Sequence, residues 1–221
     1  MSKLLKKARP ISVPPPQSIL QLKITLRYIK PPIWRRILVP DNLLLGELHY
    51  VINPAMGWGG YHMHSFRFGG GFNPIEYSGT QTVRDCGPSV RHEDSVFLAQ
   101  VIRKKGQTFS YEYDYGDGWQ HEIKVEKVIP FDPTLRLPVC LAGERACPPE
   151  DCGGVSGYHN VLEALRQAST PAQKEFREWL GSYDPERFDL EAINRRWQPK
   201  SSPISKGTHE LRGRTERSSS Y

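Results

Sequence analysis

Apolar residues recur at every second position over 20–28, where Leu20, Leu22, Ile24, Leu26 and Tyr28 alternate with Gln21, Lys23, Thr25 and Arg27. A period of two puts one set on one face, so this stretch predicts a half-buried strand. Pro31-Pro32 ends it, and 33–39 predicts a second strand closed by Pro40. Over 43–55 the period lengthens: Leu44, Leu48, Val51, Ile52 and Ala55 share a helical face. Asp41 or Asn42 stands ready to cap that helix, and Pro54 to kink or end it. Alternation returns at 62–68, with His62, His64, Phe66 and Phe68 on one side. Residues 72–92 are rich in turn formers and predict no element, whereas 94–104 predicts a short helix.

The firmest pattern spans 108–126. Phe109, Tyr111, Tyr113 and Tyr115 alternate with polar residues up to Gly116-Asp117-Gly118, and Trp119, His121, Ile123 and Val125 alternate beyond it. A three-residue loop with glycine predicts a bulged hairpin in which Tyr113 faces His121. Helices follow at 158–168, at 171–180 with Pro171 in its first turn, and at 185–197 with Pro185 in its first turn. The fold class is therefore α+β: a mostly antiparallel sheet, one helix in the N-terminal half and a C-terminal helical cluster. Residues 1–18, with Pro14-Pro15-Pro16, read as a disordered basic lead-in, 19–199 as one domain and 200–221 as a disordered basic tail.

No apolar run approaches the roughly 18–20 residues of a membrane span, and no signal-peptide core opens the chain. A cytoplasmic protein without a membrane partner is expected. The formal net charge is +6, but the segments 1–18 and 200–221 carry about +7 and leave 19–199 at about −1. Basic tails of this kind are either simply solvated or a nucleic-acid contact, and any such contact is expected from Lys3, Lys6, Lys7, Arg9, Lys200, Lys206, Arg212, Arg214 and Arg217.

Cys140, Cys147 and Cys152 fall within thirteen residues. In a reducing compartment, clustered thiols point to metal or redox chemistry ahead of disulfides. Three thiolates with a fourth nitrogen or sulfur ligand satisfy tetrahedral zinc; His121, His159 and Cys86 are the candidates, and the expected set is Cys140, Cys147, Cys152 and His121. Plain packing of small buried thiols and a redox pair are the other two readings. His62 and His64 project from one strand face and suit a metal or an anion, or simple packing against Phe66 and Phe68. Asp114, Asp117, Glu150 and Asp151 suit metal binding or acid–base work, or the shaping of turns. No nucleophile elbow, phosphate-cradling loop, dinucleotide fingerprint or helical metalloprotease motif occurs.

Six blocks stand in a recognisable order: Pro32-Ile33-Trp34-Arg35-Arg36; Leu48-His49; Met56-Gly57-Trp58; His62-Met63-His64-Ser65-Phe66; the run from Tyr111 through Tyr113 and Trp119 to His121; and Cys147-Pro148-Pro149-Glu150-Asp151-Cys152-Gly153-Gly154. Over about 20–195 the chain resembles the plasmid ORF-3-like family. The resemblance implies a compact α+β domain and an association with plasmids and transposable elements, some members carrying a recombinase label. It implies no mechanism. Neither a serine nor a tyrosine recombinase is supported, since Arg35-Arg36 lies in a predicted strand with no partner nucleophile. The function expected first is a non-catalytic, zinc-stabilised accessory protein that binds nucleic acid or a protein partner. The alternative is a metal-assisted hydrolase or nuclease built on His62, His64, Asp114 and Asp117.

Overall fold

The computed structural model describes residues 12–70, 73–167 and 170–198. Within them the chain is mixed α/β, with eight strands in one sheet and six α-helices. The strands are β1 (Ser18–Leu26), β2 (Ile33–Pro40), β3 (His64–Phe68), β4 (Ile75–Ser78), β5 (Val90–His92), β6 (Thr108–Tyr113), β7 (Trp119–Pro130) and β8 (Val139–Glu144). Their spatial order is β5-β4-β3-β6-β7-β1-β2-β8, antiparallel throughout except for the β4–β5 pair. The helices are α1 (Leu45–Met56), α2 (Thr80–Cys86), α3 (Leu98–Val101), α4 (Gly154–Arg166), α5 (Pro171–Leu180) and α6 (Leu190–Arg196).

Alternation sets the layers. Leu22, Ile24, Ile33, Ile37, Tyr111, Tyr113, Ile123 and Val125 are fully buried on the inner face and join one core with Leu48 and Ile52 of α1 and Tyr158 and Val161 of α4. Each such aliphatic side chain contributes about 1.5–3 kcal/mol by leaving water. Lys23, Trp34, Arg36, Glu122 and Lys124 occupy the alternate positions, partly or fully exposed.

Several boundaries differ from expectation for identifiable reasons. α1 starts at Leu45 because Glu47 reaches back to accept from the Leu44 amide at 2.7 Å. Asp41 and Asn42 instead tie down the lead-in, Asp41 accepting from the Gln17 amide and Asn42 donating to the Pro14 carbonyl. Residues 12–17 are thus held against the domain, which corrects the disordered reading for that part; 1–11 and 199–221 lie outside the described residues. Pro54 sits in the last turn without breaking it, and the helix stops at left-handed Gly57. The described part of the first half holds three α-helices: α2 forms inside the turn-rich 72–92 segment, where no element was expected, and α3 is a single turn within the short helix expected over 94–104. The last helix begins at Leu190, capped by Asp189, which accepts from the Ala192 amide at 2.8 Å.

The hairpin register is also corrected. Tyr113 pairs with Trp119 and Tyr111 with His121. Asp114 leaves the strand in a left-handed conformation, and its carbonyl accepts from the Gly118 amide at 2.6 Å, so the loop runs over 114–118. A two-residue shift preserves which side chains face inward, which is why the burial pattern survives.

Candidate functional site

Three segments meet at the end of the β3–β6 pair: the glycine-rich stretch after α1, the β6–β7 turn, and the Pro-Pro loop before α4. Trp58 joins them. Its ring stacks on Tyr113 at 5.2 Å and on Trp119 at 5.8 Å, and its indole N–H donates to the Pro148 carbonyl at 2.9 Å. Arg35 fixes the same loop from below. Buried to 3% exposure, it donates to the carbonyls of Ala55, Trp34, Glu144 and Arg145 and to Cys147 Sγ, with no carboxylate among these partners. Ala55 lies in the last turn of α1, where a cation suits the exposed carbonyls of the helix end.

At this junction His62 meets three carboxylates. Its Nε2 lies 3.1 Å from Asp151 Oδ1, 3.7 Å from Asp114 Oδ2 and 3.8 Å from Glu150 Oε2. The nitrogen is buried, yet it is hydrogen-bonded to none of the three acids. Asp114 and Asp151 both hold positive φ, 56° and 55°, and so turn their carboxylates inward from short loops. Asp114 Oδ1 accepts from the Gly116 amide, leaving Oδ2 to face the imidazole. Glu150 Oε1 accepts from the Gly59 amide at 2.6 Å and the Tyr113 hydroxyl at 3.2 Å, leaving Oε2 on the same side. Among the described residues no Lys or Arg pairs with these three acids. The Tyr61 phenol beside them is pushed up, first by desolvation and then by the field of Glu150, Asp151 and Asp114.

Atoms of His62, Asp114 and Asp151 lie within 4.8 Å of one another, and among the described residues theirs is the one group of His, Cys, Asp or Glu that does so. Ligands about 2.1 Å from a common ion stand roughly 3.0–3.4 Å apart in octahedral or tetrahedral geometry. The 3.1 Å separation of His62 from Asp151 falls within that range, and the 3.7 Å separation from Asp114 lies just above it.

The expected thiol site is not assembled. Cys140, Cys147, Cys152 and His121 form no such group. Cys140 Sγ faces the Ala142 carbonyl at 3.5 Å, and Cys147 Sγ contacts Met56 Sδ at 3.8 Å and Arg35. Burial pushes all three thiols up, Cys152 to about 12 with help from Asp117 and Asp151. His121 is fully buried under Trp58, donates from Nδ1 to the Tyr111 carbonyl at 3.2 Å, and is lowered by desolvation to about 4.

Of the other expected site residues, His64 is bound to Glu93 at 2.7 Å and stacks on His49 at 3.6 Å. Both His62 and His64 border a cleft of about 350 Å³ between α1 and the β4–α2 connection. Asp117 turns away: its Oδ2 accepts from the Gly153 amide at 3.2 Å, so it shapes the site without facing it. Gly154, at φ +68°, passes so close that a Cβ there would lie 2.4 Å from the Asp117 carbonyl oxygen. Trp34 lies on the outer sheet face, its indole donating to Glu144 at 2.8 Å. Sequence reasoning named Asp151 and Glu150 but did not join them to His62. Nothing in their spacing could, because only the pinning of the Pro-Pro loop on the β6–β7 turn brings them together.

Among the described residues no helix is long and apolar enough to cross a membrane. The chain is 35% identical over 187 residues to the uncharacterized protein y4hQ of Sinorhizobium fredii, covering 80% of this chain and 87% of that protein. It is also similar to a crystal structure from Methanosarcina mazei Go1, titled as a protein of unknown function, MM3350. That likeness has a TM-score of 0.70 and 33% identity, covering 80% of this chain and 98% of the other. The model of the plasmid pRiA4b ORF-3-like proteins matches residues 18–192, and this chain belongs to that family.

Proposed function

We propose that the protein is a metal-assisted hydrolase whose divalent cation is held by His62, Asp114 and Asp151. The observation that carries this reading is the buried His62 Nε2, ringed by carboxylate oxygens at 3.1–3.8 Å and hydrogen-bonded to none of them. Three like charges brought together without a basic partner repel one another, and a cation relieves that repulsion. One imidazole with carboxylates suits Mn²⁺ or Zn²⁺ better than the thiol set would suit a hard ion. Three protein ligands leave positions open for water and substrate, as catalytic sites do and closed structural sites do not.

A cation held there supplies Lewis acidity and lowers the pKa of a bound water. The residues around it divide the remaining work. Glu150 Oε2, which the Tyr113 hydroxyl reaches at 3.4 Å, is the less engaged oxygen of a carboxylate oriented by the Gly59 amide and Tyr113, and it takes the proton of the attacking water. Tyr61, two-thirds exposed at the rim, and the cleft of about 350 Å³ bordered by His62 and His64 receive the substrate.

Titration calorimetry with Mn²⁺ and Zn²⁺ tests the reading, followed by turnover of bis-p-nitrophenyl phosphate and p-nitrophenyl acetate. One equivalent per chain is expected for the wild type, with at least tenfold weaker binding in His62→Ala and Asp151→Asn. Glu150→Gln is expected to bind the cation and lose turnover. Uptake unchanged by either ligand substitution, or abolished by alkylating the thiols, would overturn the proposal.

A further inference from the structure

The outer face of the sheet carries a feature that its near-neutral charge conceals. In the pairing register Lys23 of β1 stands directly opposite Arg36 of β2 on one side and Lys124 of β7 on the other. Three cations thus lie side by side across three adjacent strands, about 4.8 Å apart at the backbone. Like charges directly opposite one another destabilise a sheet, so the arrangement costs stability when nothing anionic covers it. One carboxylate offsets it in part: Glu126 takes Arg36 through two contacts of 2.5 and 2.9 Å and also accepts from Gln21 at 2.7 Å. That leaves Lys23 and Lys124 without an ion pair among the described residues, Lys23 resting its ammonium over the Trp34 ring at 4.7 Å. Beside the row runs a groove of about 810 Å³ lined by Arg36, Lys105, Lys124 and Lys127, with Glu126 its one acid. Lys105 and Lys127 likewise make no ion pair among the described residues.

We infer that this groove binds single-stranded nucleic acid through its phosphates. The shape of the charge favours that partner. The next row on the same face runs Ser110, Glu122, Thr25, Trp34 and Glu144, so the cations are bordered by Glu122 on β7 and Glu144 on β8. Rows on one face are roughly 7 Å apart. The positive strip is therefore narrow and grooved, the shape of one phosphate ribbon. A duplex presents two ribbons, and an anionic membrane calls for a broad basic or apolar plane. Positively charged grooves that track one backbone are the general device for single strands. The strip lies on the face opposite the inward-facing His64 and Tyr113, so the inference stands apart from the cation site.

The test is anisotropy of a fluorescein-labelled dT20 with the full chain in EDTA, titrated over a range of salt. The Lys23→Gln/Lys124→Gln double variant is compared with wild type and with a Lys6→Gln/Lys7→Gln control. Removing two phosphate contacts is expected to lower the slope of log K against log salt by about 1.4, at roughly 0.7 per contact on single strands. The double variant is also expected to melt at or above the wild-type temperature, because it removes in-register repulsion. Asp151→Asn is expected to bind dT20 as wild type does, which separates this surface from the cation site. A wild-type slope in the double variant, no binding by wild type, tighter binding of a 20-base-pair duplex, or the same lysine dependence on phosphatidylserine vesicles without dT20 binding would each overturn the inference.

Discussion

Tyr111 donates its hydroxyl proton to His49 Nδ1 across 2.8 Å, both side chains being buried. The direction follows from the neighbours. Desolvation, then the adjacent His64, lowers His49 to about 4, so the ring is neutral near pH 7 and carries one proton. That proton belongs on Nε2, which faces the Gly60 carbonyl at 3.1 Å, and Nδ1 accepts. Asn53 completes the set by donating to the same hydroxyl at 3.0 Å and to the His49 carbonyl at 2.9 Å. The network ties α1 to β6 and to the glycines that lead into His62. Tyr111→Phe leaves His49 Nδ1 with the Asn53 amide at 3.1 Å as its remaining donor and is expected to cost about 1 kcal/mol in urea denaturation. A change below about 0.5 kcal/mol would show that water replaces the hydroxyl.

Acid is expected to destabilise the fold through two histidines. His49 and His121 both stand at about 4 when folded, against an ordinary value near 6.5. Between those values the unfolded chain binds more protons than the folded one, so stability is complete above pH 6.5 and falls towards pH 4. Each imidazole accounts for a loss of about 2 kcal/mol by pH 5. Denaturation curves at pH 7 and pH 5 measure the total, and His121→Phe is expected to remove roughly half of the difference. A pH-independent midpoint would show that neither ring is desolvated.

Thiol chemistry checks the cysteine packing. Cys86 is exposed, whereas Cys140, Cys147 and Cys152 are buried and raised above the usual thiol range. A thiolate is the reactive form, and burial suppresses it. Ellman's reagent is expected to titrate one thiol in the native protein and four after denaturation. Three or more rapid thiols in the native state would mean that the Pro-Pro loop is open.

The strands with strict alternation were legible because burial on one face is written into every second residue. β6, the first part of β7, residues 22–26 of β1 and 33–37 of β2 follow that rule, whereas 19–22 and 37–39 are buried on both faces. β8 was not, since its pairing with β2 depends on Gly143 lying against Phe188, where a Cβ would stand 2.5 Å from the ring. The hairpin register slipped by two because the left-handed turn of Asp114 is set by a carbonyl-to-amide contact across the loop, not by composition. The site was legible as residues and illegible as a constellation. His62, Asp114 and Asp151 were each singled out, but the cysteines beside Asp151 drew the metal reading to themselves. The two sets differ in surroundings: burial pushes the thiols up, while His62 Nε2 faces carboxylate oxygens at 3.1–3.8 Å.

The contact of Asp117 with the Gly153 amide positions the proposed cation site from outside it. Asp117 accepts at 3.2 Å while Gly154 passes beneath its carbonyl, and together they hold Asp151 opposite Asp114. Asp117→Ala removes the acceptor and is expected to cost about 1 kcal/mol of stability. It is also expected to weaken Mn²⁺ binding severalfold, because Asp151 loses its anchor. Asp117→Asn keeps an acceptor oxygen and is expected to restore most of both, although it removes a charge. Gly154→Ala is the harsher change. A methyl there meets the Asp117 carbonyl at 2.4 Å, and φ of +68° disfavours any side chain. A loss of about 2 kcal/mol or more is expected, with the loop displaced. If Asp117→Asn weakens Mn²⁺ as much as Asp117→Ala does, the charge of Asp117 acts on the ion directly and its positioning role is wrong.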